Sequence, residues 1–352
     1  MSGRKPIRSK CGAADQQAMM HLDEEQDSNK PNYRQAEAYP FPLDAVVLAG
    51  THRNPKRLIA GRNKAFLKVG EQVLLRYVVN ALLDAVHIER IFVVGPEEEL
   101  RAELADFPST VQVIAQRGKM LTNCWAGIEA SEQGHQDEPG MPVKERPLLI
   151  TSCDLPLVTA RAVDDFIVRC ARLDAASDTS GALLAGVVDE PGVKPFCPDG
   201  NKPGIKRPFV ELAGGRLRLA NIYIARPRNL AHQEFLQTGF SYRKAKDWRN
   251  VVALVYSFFR RPHGWRSAWL TMRIQLTLML SQGKGRLYRY LKAGNTEERV
   301  EKCMSEVLGG PVKIVVTPFG GLSLDVDDEE DYRILDARYT DWAAITRAVD
   351  TD

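Results

Sequence analysis

Residues Val46–Gly70 read VVLAGTHRNPKRLIAGRNKAFLKVG, and the fold class turns on how this stretch divides. Ala45–Gly50 is an unbroken apolar run that ends in glycine. Such a run suits a strand buried on both faces of a parallel sheet. The connection that follows is long, because exits from strands in compact domains commonly take about 4–6 residues. It carries His52, Arg53, Lys56, Arg57, Arg62 and Lys64 and no acid. Gly50 would let backbone approach a phosphate closely. A helical turn after the loop would offer N–H groups to an anion. A solvated basic loop accounts for the same residues equally well. Neither GxxxxGK[ST] nor GxGxxG is present in it.

Outward from this stretch, apolar strands alternate with helical periodicity. Strands are expected at Arg90–Gly95, Val111–Ala115 and Pro147–Thr151, and helices at 72–86, 97–105, 121–130 and 159–172. Alternation of this kind predicts an α/β architecture with a mostly parallel sheet. Ligands in such sheets bind at the carboxyl ends of the strands. Residues 188–219 are rich in Gly, Pro and Lys and read as an elaborated loop. Strand character returns at Val312–Thr317 and Leu322–Val326, and a last helix follows from Glu329. The expected layout is a disordered tail (1–42), a core (43–235), a basic amphipathic helical insertion (236–309) and a C-terminal completion of the core (310–352).

The chain has 352 residues, 44% hydrophobic and 26% charged, with a net charge of +3. This is ordinary globular composition, and the charge is too small to argue for nucleic acid. Six cysteines, at 11, 124, 153, 170, 197 and 303, form no CxxC pair. Neither a zinc site nor a disulfide framework follows, and a reducing, cytoplasmic setting is expected. No signal peptide or membrane-spanning run is expected.

Two acidic positions bear on chemistry. LLITSCDLPLVT places Asp154 directly after a buried strand. It reads either as the N-cap of a following turn or as a Mg²⁺ ligand, since magnesium takes one or two carboxylates beside phosphate oxygens. GLSLDVDDEEDY offers Asp325 and Asp327, which strand period two would put on one face. Asp328, Glu329 and Glu330 suit a helix N-terminus. Cys153 reads as a small buried residue at a strand end, because no histidine partner lies nearby in sequence.

VVLAG…NKAFLKVG, CDLPLVT and LDVDDEEDY in this order resemble the MobA-like NTP transferases, a nucleotidyltransferase superfamily. The resemblance covers about 44–175, 205–235 and 312–338. It implies a Rossmann-like GT-A sandwich with a helical insertion. It further implies Mg²⁺-dependent transfer of NMP from an NTP, CTP or GTP foremost, to a phosphorylated small-molecule acceptor, with release of pyrophosphate. Leu48, Ala49 and Gly50 would then pass under the nucleotide, and Arg57 and Lys64 would hold its phosphates. Arg117, Gly118, Thr122 and Asn123 would contact the base. Asp154 and Asp327, with Asp325, would bind the metal. Lys206, Arg207 and Asn221 would meet the acceptor. Thr51 stands where the family's second loop glycine is usual, and the loop is longer than the family pattern. A GT-A glycosyltransferase and a non-catalytic nucleotide-binding protein are the alternatives.

The insertion is separate. Tyr242–Lys292 holds one acid, Asp247, against about a dozen Lys and Arg. Apolar faces run through Trp248, Val251, Val255 and Phe258, and through Trp265, Trp269, Met272, Leu276 and Met279. A helical hairpin packed on the core or in a dimer interface, and peripheral contact of 242–292 with an anionic membrane, are both consistent with this pattern. No nucleic-acid module is recognisable.

Overall fold

The computed structural model describes residues 38–51, 58–137, 141–235, 264–281, 283 and 285–351. β1 (Leu43–Leu48) is an inner strand, and Ala45, Val46 and Val47 are completely buried. It pairs in parallel with β4 (Ile88–Gly95) and β6 (Leu148–Ser152), and β4 pairs in parallel with β5 (Val111–Ala115). Beyond β6 lies β9 (Gly215–Ala225), antiparallel to β6, to β7 (Leu183–Asp189) and to β8 (Val210–Leu212). β10 (Val312–Thr317) runs parallel to β7 at the far side. The order is β10-β7-β9-β6-β1-β4-β5, with β8 beside β9. β2 (Lys68–Val69) and β3 (Gln72–Val73) form a separate hairpin. Every strand of the ordered path except β9 points the same way, so their carboxyl ends share one edge.

The described helices are α1 (Leu74–Asp84), α2 (Glu97–Glu103), α3 (Met120–Gln133), α4 (Ala160–Ala175), α5 (Glu190–Val193), α6 (Gly264–Leu280), α7 (Arg286–Ala293), α8 (Glu297–Leu308) and α9 (Glu329–Thr351). α1 and α4 bury Leu75, Val78, Phe166 and Ile167 with Ala45, Val47, Ile91 and Ile222 on one face of the sheet. α3 covers Val46, Phe92 and Val94 on the other. A Cβ on Gly127 of α3 would stand 2.6 Å from Val46 Cγ1, so this close helix-to-strand approach requires glycine. α9 buries Leu335 and Trp342 against Ile59, Leu67, Val69, Leu324 and Val326. That second core clamps the chain after the basic loop to the C-terminal acidic segment.

The structure departs from the sequence expectations at three places. Residues 188–219 are not merely loop: they hold α5, β8 and the start of β9. β9 escapes notice because Arg216, Arg218 and Asn221 interrupt its apolar pattern. Leu322–Val326 is not a strand: Gly320–Ser323 forms a 3₁₀ turn, and irregular chain follows. Gly320 and Gly321 pack their backbone onto Gly192 and Leu157, leaving no room for a paired strand. In the insertion, Tyr242–His263, with Trp248, Val251, Val255 and Phe258, lies outside the described residues. α6 and α7 are tied together by Arg273, whose guanidinium donates to Leu291 O (3.0 Å) and Tyr290 O (3.1 Å). They are tied to β8 by Tyr288 Oη donating to Glu211 Oε2 (2.9 Å).

Candidate active site

The exit of β1 is built by side chains on both sides of the basic loop. Asn63 Nδ2 donates to Ala49 O and to Thr51 Oγ1, both at 2.9 Å. Its Oδ1 accepts from Ala65 N (3.1 Å), capping the 3₁₀ turn Lys64–Phe66. One asparagine thus pins the start of the loop to its end and aims Lys64 back across the strand ends. Thr51 N donates to Gln116 Oε1 (2.8 Å). Asn63 opens the NKAFLKVG motif, directly before a helical turn, whereas Gln116 belongs to no sequence motif. His52–Arg57, and so the expected phosphate ligand Arg57, lie outside the described residues.

Asn123 is buried, and its Oδ1 accepts from Arg117 N (2.7 Å) and Gly118 N (3.0 Å). It shapes the turn between β5 and α3. A Cβ on Gly50 would lie 2.6 Å from Asn123 Nδ2. Gly50 and the Arg117-Gly118 turn therefore close on each other, which brings together residues expected from sequence to share the nucleotide. Leu48 ends β1 and Ala49 follows it, and Thr122 donates to Lys119 O (2.7 Å) from an exposed position. Asn123→Ala would leave two turn N–H groups without their acceptor, at a cost of about 1–3 kcal/mol. We expect the variant to melt a few degrees below wild type while the sheet stays folded.

The centre is Lys64. Its ammonium donates to Asp154 Oδ2 (3.1 Å), lies 3.5 Å from Asp327 Oδ1, and donates to the carbonyl of Val326. Burial by itself lowers the Lys64 pKa, but Asp154, Asp327 and Asp325 outweigh it and the net shift is upward. Lys64 is therefore a fixed cation at neutral pH. Asp154 Oδ2 accepts from Lys64 rather than from a backbone N–H of the following turn, and Thr159 caps α4, accepting from Ala162 N (3.2 Å). Two carboxylates from segments 173 residues apart thus converge on one cation.

Asp325 and Asp327 do not share a strand face, since no strand forms there. Asp327 turns to Lys64 and to Arg207 Nη2 (3.3 Å). Asp325 lies 4.0 Å from Arg207 Nε and outside the Lys64 pair. Arg207 donates to Asp325 O (3.2 Å) and pairs with Asp331, whose carboxylate also accepts from Asp327 N (3.0 Å). Asp328 caps α9 through Glu330 N (3.1 Å) and Asp331 N (3.0 Å), the helix-terminus role its position suggests. Arg207 is paired with the acidic segment. Lys206 is exposed, and Asn221 is buried next to the end of β6, its carbonyl accepting from Thr151 Oγ1 (2.9 Å). Cys153 is buried, and burial with Asp154 beside it pushes its thiol pKa far up, so it has no thiolate to attack with.

Among the described residues, a trio with metal-ligand spacing, Asp44, Glu89 and His135, stands at the opposite edge of the sheet. Asp44 is already saturated there by Arg90 Nε (3.0 Å), Ser131 Oγ (2.5 Å) and His135 Nε2 (3.0 Å). The chemistry-bearing edge is that of Lys64.

The fold is an α/β sandwich built on a mostly parallel sheet. Residues 45–191 match the family model of the MobA-like NTP transferase domain. That match takes in Gly50, Lys64, Asn123 and Asp154; Arg207, Asn221 and Asp327 lie beyond it. No curated protein matches the chain by sequence. A solved structure described as a hypothetical transferase from Thermus thermophilus is 22% identical, with a TM-score of 0.52, over 83% of this chain and 99% of that one. CMP:2-keto-3-deoxy-manno-octonic acid synthetase complexed with CTP aligns at 11% identity and a TM-score of 0.43, over 86% and 99% of the two chains. 4-Diphosphocytidyl-2C-methyl-D-erythritol synthase from Anaerococcus prevotii aligns at 8% and 0.41, over 85% and 96%. The first shares the fold; the other two are looser likenesses.

Proposed function

We propose that the protein is a Mg²⁺-dependent nucleotidyltransferase of the cytoplasm. It transfers NMP from an NTP, CTP or GTP foremost, to a phosphorylated small-molecule acceptor and releases pyrophosphate. The observation that carries this reading is the meeting of Lys64, Asp154 and Asp327 at the strand edge that also holds the Gly50–Asn123 closure. The MobA-like match supports nucleotidyl transfer in general.

Two hard carboxylate donors that already converge on one cation fit a magnesium ion. Asp154 and Asp327 would hold it, and it would supply positive charge against the phosphates. Asp325, turned to Arg207, is not in that pair. Lys64 also acts on the phosphates directly, because a fixed cation beside them stabilises the charge that gathers on departing pyrophosphate. The Gly50 turn brings backbone close to the nucleotide, and Asn123 holds that turn rigid. A phosphate acceptor is already ionised, so the site needs positioning and charge neutralisation rather than a general base. Pyrophosphate release measured with each of the four NTPs against phosphate-monoester acceptors tests the reading. Acceptor-dependent release with one NTP is expected; nucleotide binding without release from any pair would favour a nucleotide-binding protein.

A second surface supports peripheral attachment to an anionic membrane. Gly264–Ala293 contains no acid and six cations: Arg266, Arg273, Lys284, Arg286, Arg289 and Lys292. Trp265, Trp269, Met272, Leu276 and Met279 of α6 and Leu287 and Tyr290 of α7 are all exposed. An apolar stripe with interfacial aromatics and cations beside it suits a bilayer surface. No described helix is long and apolar enough to cross a membrane. We expect co-sedimentation with phosphatidylcholine–phosphatidylglycerol vesicles, weakened by salt and by Trp265→Glu with Trp269→Glu, and none with phosphatidylcholine alone. Equal behaviour with both vesicles would refute the attachment.

A further inference from the structure

Arg218 of β9 is 4% exposed, and neither terminal nitrogen of its guanidinium has a hydrogen-bond partner. The comparably buried Arg226 shows the ordinary solution: it donates to Gly181 O (2.7 Å) and pairs with Asp174 (2.9 Å). Arg218 sits within electrostatic reach of Asp325 and Asp331, yet it bonds to neither. Those acids are held by Arg207 instead. A buried cation with open donors is costly unless an anion completes it.

Its place in the sheet says which anion. Arg218 is in register with Val188, near the carboxyl end of β7, and three residues before Asn221 beside the end of β6. The Gly50, Gln116 and Asn123 cluster, where the nucleotide is placed, lies on the β1–β4–β5 side of Lys64. Arg218 lies on the β9–β7 side, where an acceptor must approach if it is to meet the α-phosphate from across the Lys64 centre.

We propose that Arg218 forms an oxyanion site on the acceptor side, so that the acceptor is held through a phosphate or carboxylate group on this guanidinium. The inference rests on the nucleotidyltransferase reading and assigns to Arg218 the role that the sequence suggests for Arg207. A guanidinium offers two parallel N–H donors, which match the paired oxygens of either group. Burial lowers the Arg218 pKa to about 10, with Asp325 opposing the effect and Arg207 adding to it. Its charge is thus disfavoured by folding at neutral pH, and removing the charge relieves the fold.

The test uses the full chain with saturating Mg²⁺ and a nonhydrolysable NTP, so that the nucleotide's own phosphate sites are filled. Inorganic phosphate and acetate are titrated while thermal unfolding is followed. Wild type is expected to gain stability with one or both, which identifies the oxyanion, and Arg218→Met to gain none. Without either anion, Arg218→Met is expected to melt a few degrees above wild type. Arg218→Lys, which keeps the charge but not the fork, should respond weakly. With an acceptor in hand, Arg218→Met should raise the acceptor KM on the order of 10–100-fold and leave the NTP KM unchanged. An Arg218→Met protein that melts lower than wild type and keeps the full anion response would overturn the proposal. Failure of wild type to bind the nucleotide would instead contradict the nucleotidyltransferase reading.

Discussion

Asp154→Ala is expected to lose about three orders of magnitude in kcat/KM for pyrophosphate release, equivalent to about 4 kcal/mol of transition-state stabilisation, while remaining folded. The fold survives because Lys64 keeps two of its partners, Asp327 and the carbonyl of Val326. The loss is large because no other described residue supplies a carboxylate at the end of β6: Asp327 arrives from the C-terminal segment, and Asp325 faces Arg207. Asp154→Asn is the isosteric control. It keeps the shape and removes the charge, and its activity should fall nearly as far. Activity within a factor of about 10 of wild type in both variants would remove Asp154 from the chemistry.

Lys64→Met is expected to lose activity and to change the pH dependence of stability. In wild type the Lys64 pKa is raised on folding, despite the opposing effect of burial. Its contribution to stability is therefore fully present below the unfolded lysine pKa and is lost as pH rises through the folded one. Without the ammonium, Asp154 and Asp327 lose the cation they share, and removing one partner of a buried ion pair costs about 3 kcal/mol. The deficit against wild type, followed by urea unfolding, should hold at pH below the unfolded lysine pKa and narrow as pH rises through the folded one. A divalent cation can occupy the place the ammonium leaves. Mg²⁺ without nucleotide should accordingly stabilise Lys64→Met more than it stabilises wild type. A deficit that does not vary with pH and a variant indifferent to Mg²⁺ would contradict this account of the centre.

The parallel half of the sheet is legible in the sequence because strands buried on both faces announce themselves as apolar runs: β1, β4 and β6 all read so. β9 is not, since Arg216, Arg218 and Asn221 break the apolar run that would mark it. Asp154 is legible because charge directly after a buried strand has few packing explanations, and Lys64 because NKAFLKVG carries the family resemblance. The division of labour between Asp325 and Asp327 is not. It depends on a glycine-driven turn at Gly320–Ser323 and on Arg207, 118 residues before Asp325 in sequence. Asn63 and Asn123 stand in stretches that the resemblance singles out, but their parts in positioning the loop and the turn show only in their hydrogen bonds.

The most direct measurement follows the label of an NTP carrying ³²P at the α position, incubated with Mg²⁺, the enzyme and a phosphate-monoester acceptor. The account predicts that the α label passes into the acceptor, that a γ label leaves as pyrophosphate, and that both events vanish together in Asp154→Ala. A γ label that moves to the acceptor, or an α label that stays in unreacted NTP while the nucleotide remains bound, would contradict nucleotidyl transfer at the Lys64–Asp154–Asp327 centre.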